Sequence, residues 1–183
     1  MTDYFALLEQ PRAPWLDPEA LKEVFRRKTL EHHPDASPFS SSNAFAELNE
    51  AHQVLQDPKK RLQHLLELQG SPPSRIAEPV PSELQELFLR IGECNQKTKV
   101  LLELMRGRSS ALERSLLKSR LLEAQQAIEN LRRELRDLTD TATRELKNIE
   151  PAQLNQISDL HSRFAYLGRW TEQLNELAFQ LSL

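Results

Sequence analysis

Apolar residues recur along this chain at alternating spacings of three and four, and period-two alternation is absent, so the pattern predicts helices throughout. A short first helix is expected over residues 3–10, closed by Pro11. A second starts at Asp17, where an aspartate N-cap is followed by Pro18, whose fixed φ suits a first helical position. Leu21, Val24, Phe25 and Leu30 give it one apolar face, and Lys22, Arg26, Arg27 and Lys28 give it a basic one. It must end near His32, because Pro34 disfavours a helical residue before it. Residues 36–42 are rich in Ser and Pro and read as a loop. A third helix follows over 43–57, carrying Phe45, Leu48, Ala51, Val54 and Leu55, and a fourth over 58–70, carrying Leu62, Leu65, Leu66 and Leu68.

The run Gly70-Ser71-Pro72-Pro73-Ser74, with Pro79 and Pro81 after it, stops this helical series. Residues 1–70 are thus expected to form one unit, 71–81 a stiff proline-rich linker, and 82–183 a second unit. The second unit reads as three long helices. The first, over 82–107, carries Leu84, Leu87, Phe88, Ile91, Leu101, Leu102 and Met105, with Ser82 and Gln85 as an expected capping box. Another, over 110–149, opens on the pair Ser110 and Glu113 and carries leucines and Ile128 along one face. The last follows Pro151, with Leu154, Ile157, Leu160, Phe164, Leu167, Trp170, Leu174, Leu177 and Leu181 on a heptad-like seam. Short connections force antiparallel neighbours, so the expected fold is all-α, with an antiparallel three-helix bundle at its C-terminal end.

Composition narrows the function. The 183 residues carry 24 Lys plus Arg against 27 Asp plus Glu, a net charge of -3, which argues against a generally basic protein that coats nucleic acid. A single cysteine, Cys94, excludes an internal disulfide framework or a metal centre built on several cysteines of this chain, and suits a reducing compartment. Cys94 falls near the apolar seam of its helix, where a small buried hydrophobe is the expected role. No apolar run is long enough to span a bilayer, and the acidic, aromatic opening does not resemble a secretory signal. With 4 glycines no phosphate-cradling loop can be written. The histidines follow no zinc-helix spacing, and no serine sits in a nucleophile elbow. Carboxylates lie on polar helix faces, where they are ordinarily solvated. Neither a catalytic site nor a bound cofactor or metal is expected.

One tripeptide stands apart. His33-Pro34-Asp35 follows Leu21-x-x-Val24-Phe25-Arg26-Arg27-x-x-Leu30-x-His32 and precedes Asn49-x-Ala51-His52-x-Val54-Leu55-x-Asp57-Pro58-x-Lys60-Arg61. Alone it would be ordinary turn chemistry. In this order and spacing the segment resembles a J-domain, the module that stimulates ATP hydrolysis by Hsp70 chaperones. The opening Asp3-Tyr4-Phe5-x-Leu7 with Pro11 and Leu16-Asp17, and the closing Leu65-Leu66-x-Leu68-x-Gly70, are similar to a narrower family, HscB, the J-type co-chaperones of iron–sulfur cluster assembly. The resemblance is strong over residues 1–70 and mainly one of architecture over 80–183.

The resemblance implies an HscA-like Hsp70 partner, bound through His33, Pro34 and Asp35 with Lys22, Arg26 and Arg27 steering an acidic surface. It implies an IscU-like scaffold as client, received by Leu84, Leu87, Phe88, Ile91 and Tyr166. Core packing is the other reading for Leu84, Leu87 and Ile91, and exposure of Phe88, Leu89 or Tyr166 separates the two. The chain departs from the family at Ala36, where a base is common, at Glu31, where Lys is common, and on the client face, where apolar residues replace glutamates. The expected location is cytoplasmic, or the mitochondrial matrix in a eukaryote. Two other readings remain: a J-domain protein with a general polypeptide client, and a structural helical protein.

Overall fold

The computed structural model describes residues 2–31, 42–73, 79–106 and 111–182, with side chains for all of these except 42, 43, 106 and 111–116. Among them are seven α-helices and no strand: α1 (Tyr4–Leu7), α2 (Pro18–Glu31), α3 (Ser42–Gln56), α4 (Pro58–Leu68), α5 (Gln85–Arg106), α6 (Ala111–Glu145) and α7 (Leu154–Gln180). The all-α architecture follows the periodicity. The described residues divide into two compact units, one of Met1–Ala77 with Ala142–Phe164, the other of Glu78–Thr141 with Ala165–Leu183.

In the first unit the helix starts are set by aspartates. The Asp3 carboxylate accepts from the Phe5 and Ala6 amides, Asp17 from Glu19 at 3.0 Å, and Asp57 from Lys60 at 3.1 Å. Each satisfies amides that the first turn leaves without a partner. The stops are as specific. Gly70 takes φ +73°, and the Gly70 and Ser71 amides reach back to the Glu67 and Leu66 carbonyls, closing α4 in a Schellman motif. The same pairing closes α1, where the Glu9 and Gln10 amides bond the Ala6 and Phe5 carbonyls. Here the left-handed position, φ +51°, falls to Glu9, which is why α1 ends at Leu7 instead of running to residue 10.

Helix α3 packs on α1, α2 and α4. Phe5, Leu8, Leu21, Leu48, Ala51, Leu55, Leu62, Leu65 and Leu66 fill the core between them. Ala142, Leu146, Ile157, Leu160 and Phe164 join this cluster. Within the same unit Lys147 Nζ lies 5.0 Å over the Trp15 ring, and Gln69 donates to the Pro151 carbonyl at 3.0 Å. Leu30, expected on the apolar face, is 62% exposed. At about 100° per residue it lies half a turn round the helix from Leu21, so α2 cannot bury both. Val24, Phe25 and Phe45 are half-buried.

Arg61 is the polar centre of this core. It is 5% exposed, its Nε donates to the Pro14 carbonyl at 2.8 Å, and its Nη1 donates to the Leu55 carbonyl at 2.6 Å. Leu55 lies in the last turn of α3, whose carbonyls have no helical donor. One guanidinium thus fastens the end of α3 to the segment that leads into α2. Burial lowers its pKa to about 10, and Asp57 opposes that shift, so it stays protonated at neutral pH.

In the second unit Leu84, Leu87, Ile91, Cys94 and Leu101 of α5 and its entry turn meet Ile128, Leu131 and Leu135 of α6 and Leu167, Trp170, Leu174 and Leu177 of α7. The expected capping box at Ser82 is not formed. Ser82–Leu84 is a 3-10 turn with no side-chain cap, entered from Pro81. The pair Ser110 and Glu113 lies outside the described residues and side chains.

Replacing Arg61 by Met keeps volume but strands two carbonyls. The expected loss is about 2–4 kcal/mol, read by urea unfolding of the full chain, with Arg61→Lys recovering part of it.

Candidate functional site

The basic face of α2 rests on a regular helix held to α3 by Leu21 and by Phe25, whose ring stacks on His52 at 4.1 Å. Lys22, Arg26 and Leu30 follow one another at i, i+4 and i+8 and all three are exposed, so they make a single stripe of two cations and one leucine. Arg26 reaches Glu23 at 3.3 Å, a contact between two highly exposed side chains that contributes little. Lys22, Arg26 and Leu30 border a groove of about 630 Å³ whose lining includes Leu21, Phe25 and His52.

Arg27 lies elsewhere. It and Lys28 converge on the Glu9 carboxylate, Lys28 at 2.9 Å. Their hydrogen bonds hold the Glu9 carboxyl below its usual range. The three expected bases are therefore not one set: Lys22 and Arg26 share a face, and Arg27 is engaged with the turn after α1. The residue that sequence reasoning assigned to the wrong environment is Leu30, and its i+4 spacing from Arg26 was the available signal. His33, Pro34 and Asp35 lie outside the described residues.

The other residues of the motif have local tasks. The Asn49 amide donates to the Phe45 carbonyl at 2.8 Å. Asp3 caps α1 and binds Arg12 at 2.6 Å; burial raises its pKa, but these bonds outweigh it and hold the carboxyl below normal. His64 is 4% exposed, is in stacked contact with the Tyr4 and Phe5 rings, and accepts from the Tyr4 amide at Nε2 over 3.1 Å. A nitrogen that accepts must be unprotonated, so this imidazole is neutral. Burial lowers its pKa, as it lowers that of His52.

On the expected client face, Leu84, Leu87 and Ile91 are core residues, so they are not available as an exposed strip. Phe88 and Leu89 are 47% and 63% exposed, and Tyr166 is half-buried. Trp170 connects Phe88 and Tyr166: its ring lies 6.1 Å from the first and 5.4 Å from the second. Arg90 forms a two-armed pair with Glu134 at 2.9 and 2.7 Å. Cys94 is buried, and burial pushes its thiol pKa up, which is the opposite of an activated nucleophile. Among the described residues no group of three or more His, Cys, Asp or Glu is placed to hold a metal, and no helix is long and apolar enough to cross a membrane.

Comparison with known proteins agrees with this arrangement. The DnaJ domain family model matches residues 3–64. The chain is 40% identical over 62 residues to the chaperone protein DnaJ of Ureaplasma parvum, covering 34% of this chain and 16% of that one. It is 39% identical over 64 residues to the human DnaJ homolog subfamily B member 3, covering 33% and 43%. The match therefore spans less than half the length of these relatives. Among solved structures, the chaperone HscB from Vibrio cholerae superposes with a TM-score of 0.59 at 19% identity, covering 98% of this chain and 99% of that one. The human co-chaperone protein HscB gives 0.53 at 18%, covering 96% and 81%. Residues 3–64 match the DnaJ domain family model, and the fold of the chain is similar to that of the HscB chaperones.

The histidines generate a pH prediction. Both have folded pKa values below the unfolded value near 6.5, so below that pH the unfolded chain binds more protons. Their contribution is complete above about pH 6.5 and is lost as pH falls through the folded values. The melting temperature is expected to drop between about pH 6.5 and 5, before carboxylates titrate, and His64→Gln should flatten that slope.

Proposed function

We propose that this chain is an Hsp70 co-chaperone of the HscB type, which stimulates ATP hydrolysis by its partner and donates no catalytic group itself. The observation that carries this reading is a DnaJ domain over residues 3–64 with His33-Pro34-Asp35 following α2 in the sequence. The exposed stripe of Lys22, Arg26 and Leu30 supports it. Two cations bordering an apolar groove attract an acidic surface at long range and give it an apolar contact on arrival. The co-chaperone acts on a conformational equilibrium of the Hsp70, favouring the state that hydrolyses ATP and closes on client. A reducing compartment, the cytosol or a mitochondrial matrix, suits the free thiol of Cys94.

The client we propose is an IscU-like iron–sulfur scaffold, received on the second unit by Phe88 and Leu89 with Tyr166 beside them. A large aromatic half out of the surface and supported from beneath by Trp170 has the character of an interface anchor. One observation favours a second reading, a general apolar client: the exposed positions are Phe88 and Leu89 and carry no acidic charge.

Single-turnover ATP hydrolysis by an Hsp70 tests the first part. Wild type should accelerate it, and His33→Gln should return it to the basal rate. Lys22→Glu with Arg26→Glu should lower the stimulation about tenfold or more at low ionic strength, with the gap narrowing as salt is added. Equal rates for wild type and His33→Gln, both basal, would remove the co-chaperone reading. For the client, Phe88→Ala should weaken capture of purified IscU by about 2 kcal/mol and leave ATPase stimulation unchanged. Full capture by that variant would leave the general-client reading standing.

A further inference from the structure

Glu9 occupies a position that suits glycine. It sits at φ +51° in the turn that closes α1, a left-handed backbone in which glycine is unstrained and a residue with a Cβ is not. The corresponding position after α4 is a glycine, Gly70, at φ +73°. What Glu9 returns to the fold is small. Its carboxylate accepts from Arg27 and, at 2.9 Å, from Lys28, but Glu9 and Arg27 are half-exposed, and ion pairs in that setting add little to stability. A strained backbone kept for a weak contact points to a use outside folding.

That use lies in the charge of α2. The helix carries four bases, Lys22, Arg26, Arg27 and Lys28. At about 100° per residue, Arg27 and Lys28 lie about 100° and 200° round from Arg26, so the four spread over more than half of the circumference. An acidic surface drawn to all four has no preferred flank. Glu9 reaches across from the turn after α1 and takes up the two on that side. Lys22 and Arg26 remain, on the edge that carries Leu30 and borders the groove of Leu21, Phe25 and His52. Arg26 touches Glu23, but at 3.3 Å and between two highly exposed side chains, a contact that an arriving carboxylate can replace. Glu9 differs, because one carboxylate held on a fixed turn meets two bases at once.

We propose that Glu9 is a specificity-determining residue: by neutralising the flank of α2 beside α1, it makes an acidic Hsp70 surface dock on the edge of Lys22, Arg26 and Leu30, in one orientation. This rests on the Hsp70 reading above. A partner surface that lands on Arg27 and Lys28 meets the Glu9 carboxylate and is repelled, and one that lands on Lys22 and Arg26 is not. Removing the carboxylate leaves α2 more positive, so encounters become more frequent, but a share of them falls on the unproductive flank.

Single-turnover ATP hydrolysis by an Hsp70, titrated with the full chain, reads both consequences. Glu9→Gln should lower the half-saturating concentration about threefold at low ionic strength and also lower the rate at saturation about threefold, with both differences closing as salt is added. Glu9→Gly, which removes the carboxylate and relieves the backbone, should show the same split and melt no lower than wild type. Adding Arg27→Gln to Glu9→Gln should return both parameters most of the way to wild type. Should Glu9→Gln melt early, Glu9→Gly decides alone. Unchanged parameters in both single variants, beside a wild type that stimulates, would overturn the proposal and leave the Hsp70 reading standing. So would a parallel loss of affinity and rate in Glu9→Gly, which is the mark of a merely structural residue, or a split that survives high salt or the added Arg27→Gln. Absence of stimulation by wild type and by every variant would remove the Hsp70 reading and this inference with it.

Discussion

The first unit is organised around one buried cation. Arg61 reaches two carbonyls, one before α2 and one at the end of α3. Burying a guanidinium is costly unless its donors are used, and two of them are used here in bonds under 3 Å. The result constrains geometry. Pro14 precedes the Asp17 cap, so fastening its carbonyl fixes where α2 begins and which residues turn outward. The stripe of Lys22, Arg26 and Leu30 is a consequence of that constraint as much as of its own sequence.

Charge at the surface follows a different rule. Most ion pairs here join side chains that remain well exposed, and such pairs add little to stability. Their importance is in deciding which cations are free for long-range attraction. Glu9 occupies Arg27 and Lys28, leaving Lys22 and Arg26 to define the outward potential of α2. That a glutamate accepts a left-handed backbone to close α1 places its carboxylate within reach of both bases.

Much of this arrangement could be read before any coordinates. The all-α class, the helix stop at Gly70 and the aspartate starts of α2 and α4 all rest on local rules: side-chain period, cap chemistry and the fixed φ of proline. The same rules failed where two local options compete. Ser82 can cap a helix, but Pro81 leads into a 3-10 turn instead. Residues 3–10 can continue a helix, but the reach of Gln10 back to Phe5 ends it after one turn. Leu30 and Leu21 are both apolar, yet nine residues at about 100° each put them on opposite sides of α2.

Local pattern alone therefore settled which segments are helical, where most of them start and stop, and the order in which His33-Pro34-Asp35 and its flanking motifs occur. Packing decided which apolar residues are core and which are surface, because a helix seam wide enough for two neighbours looks the same in sequence whichever neighbour is present. Leu84, Leu87 and Ile91 went inward while Phe88 and Leu89 stayed out. Packing also decided that Ala142–Phe164 share a core with the four N-terminal helices, contacts between residues far apart in the chain that no periodicity encodes.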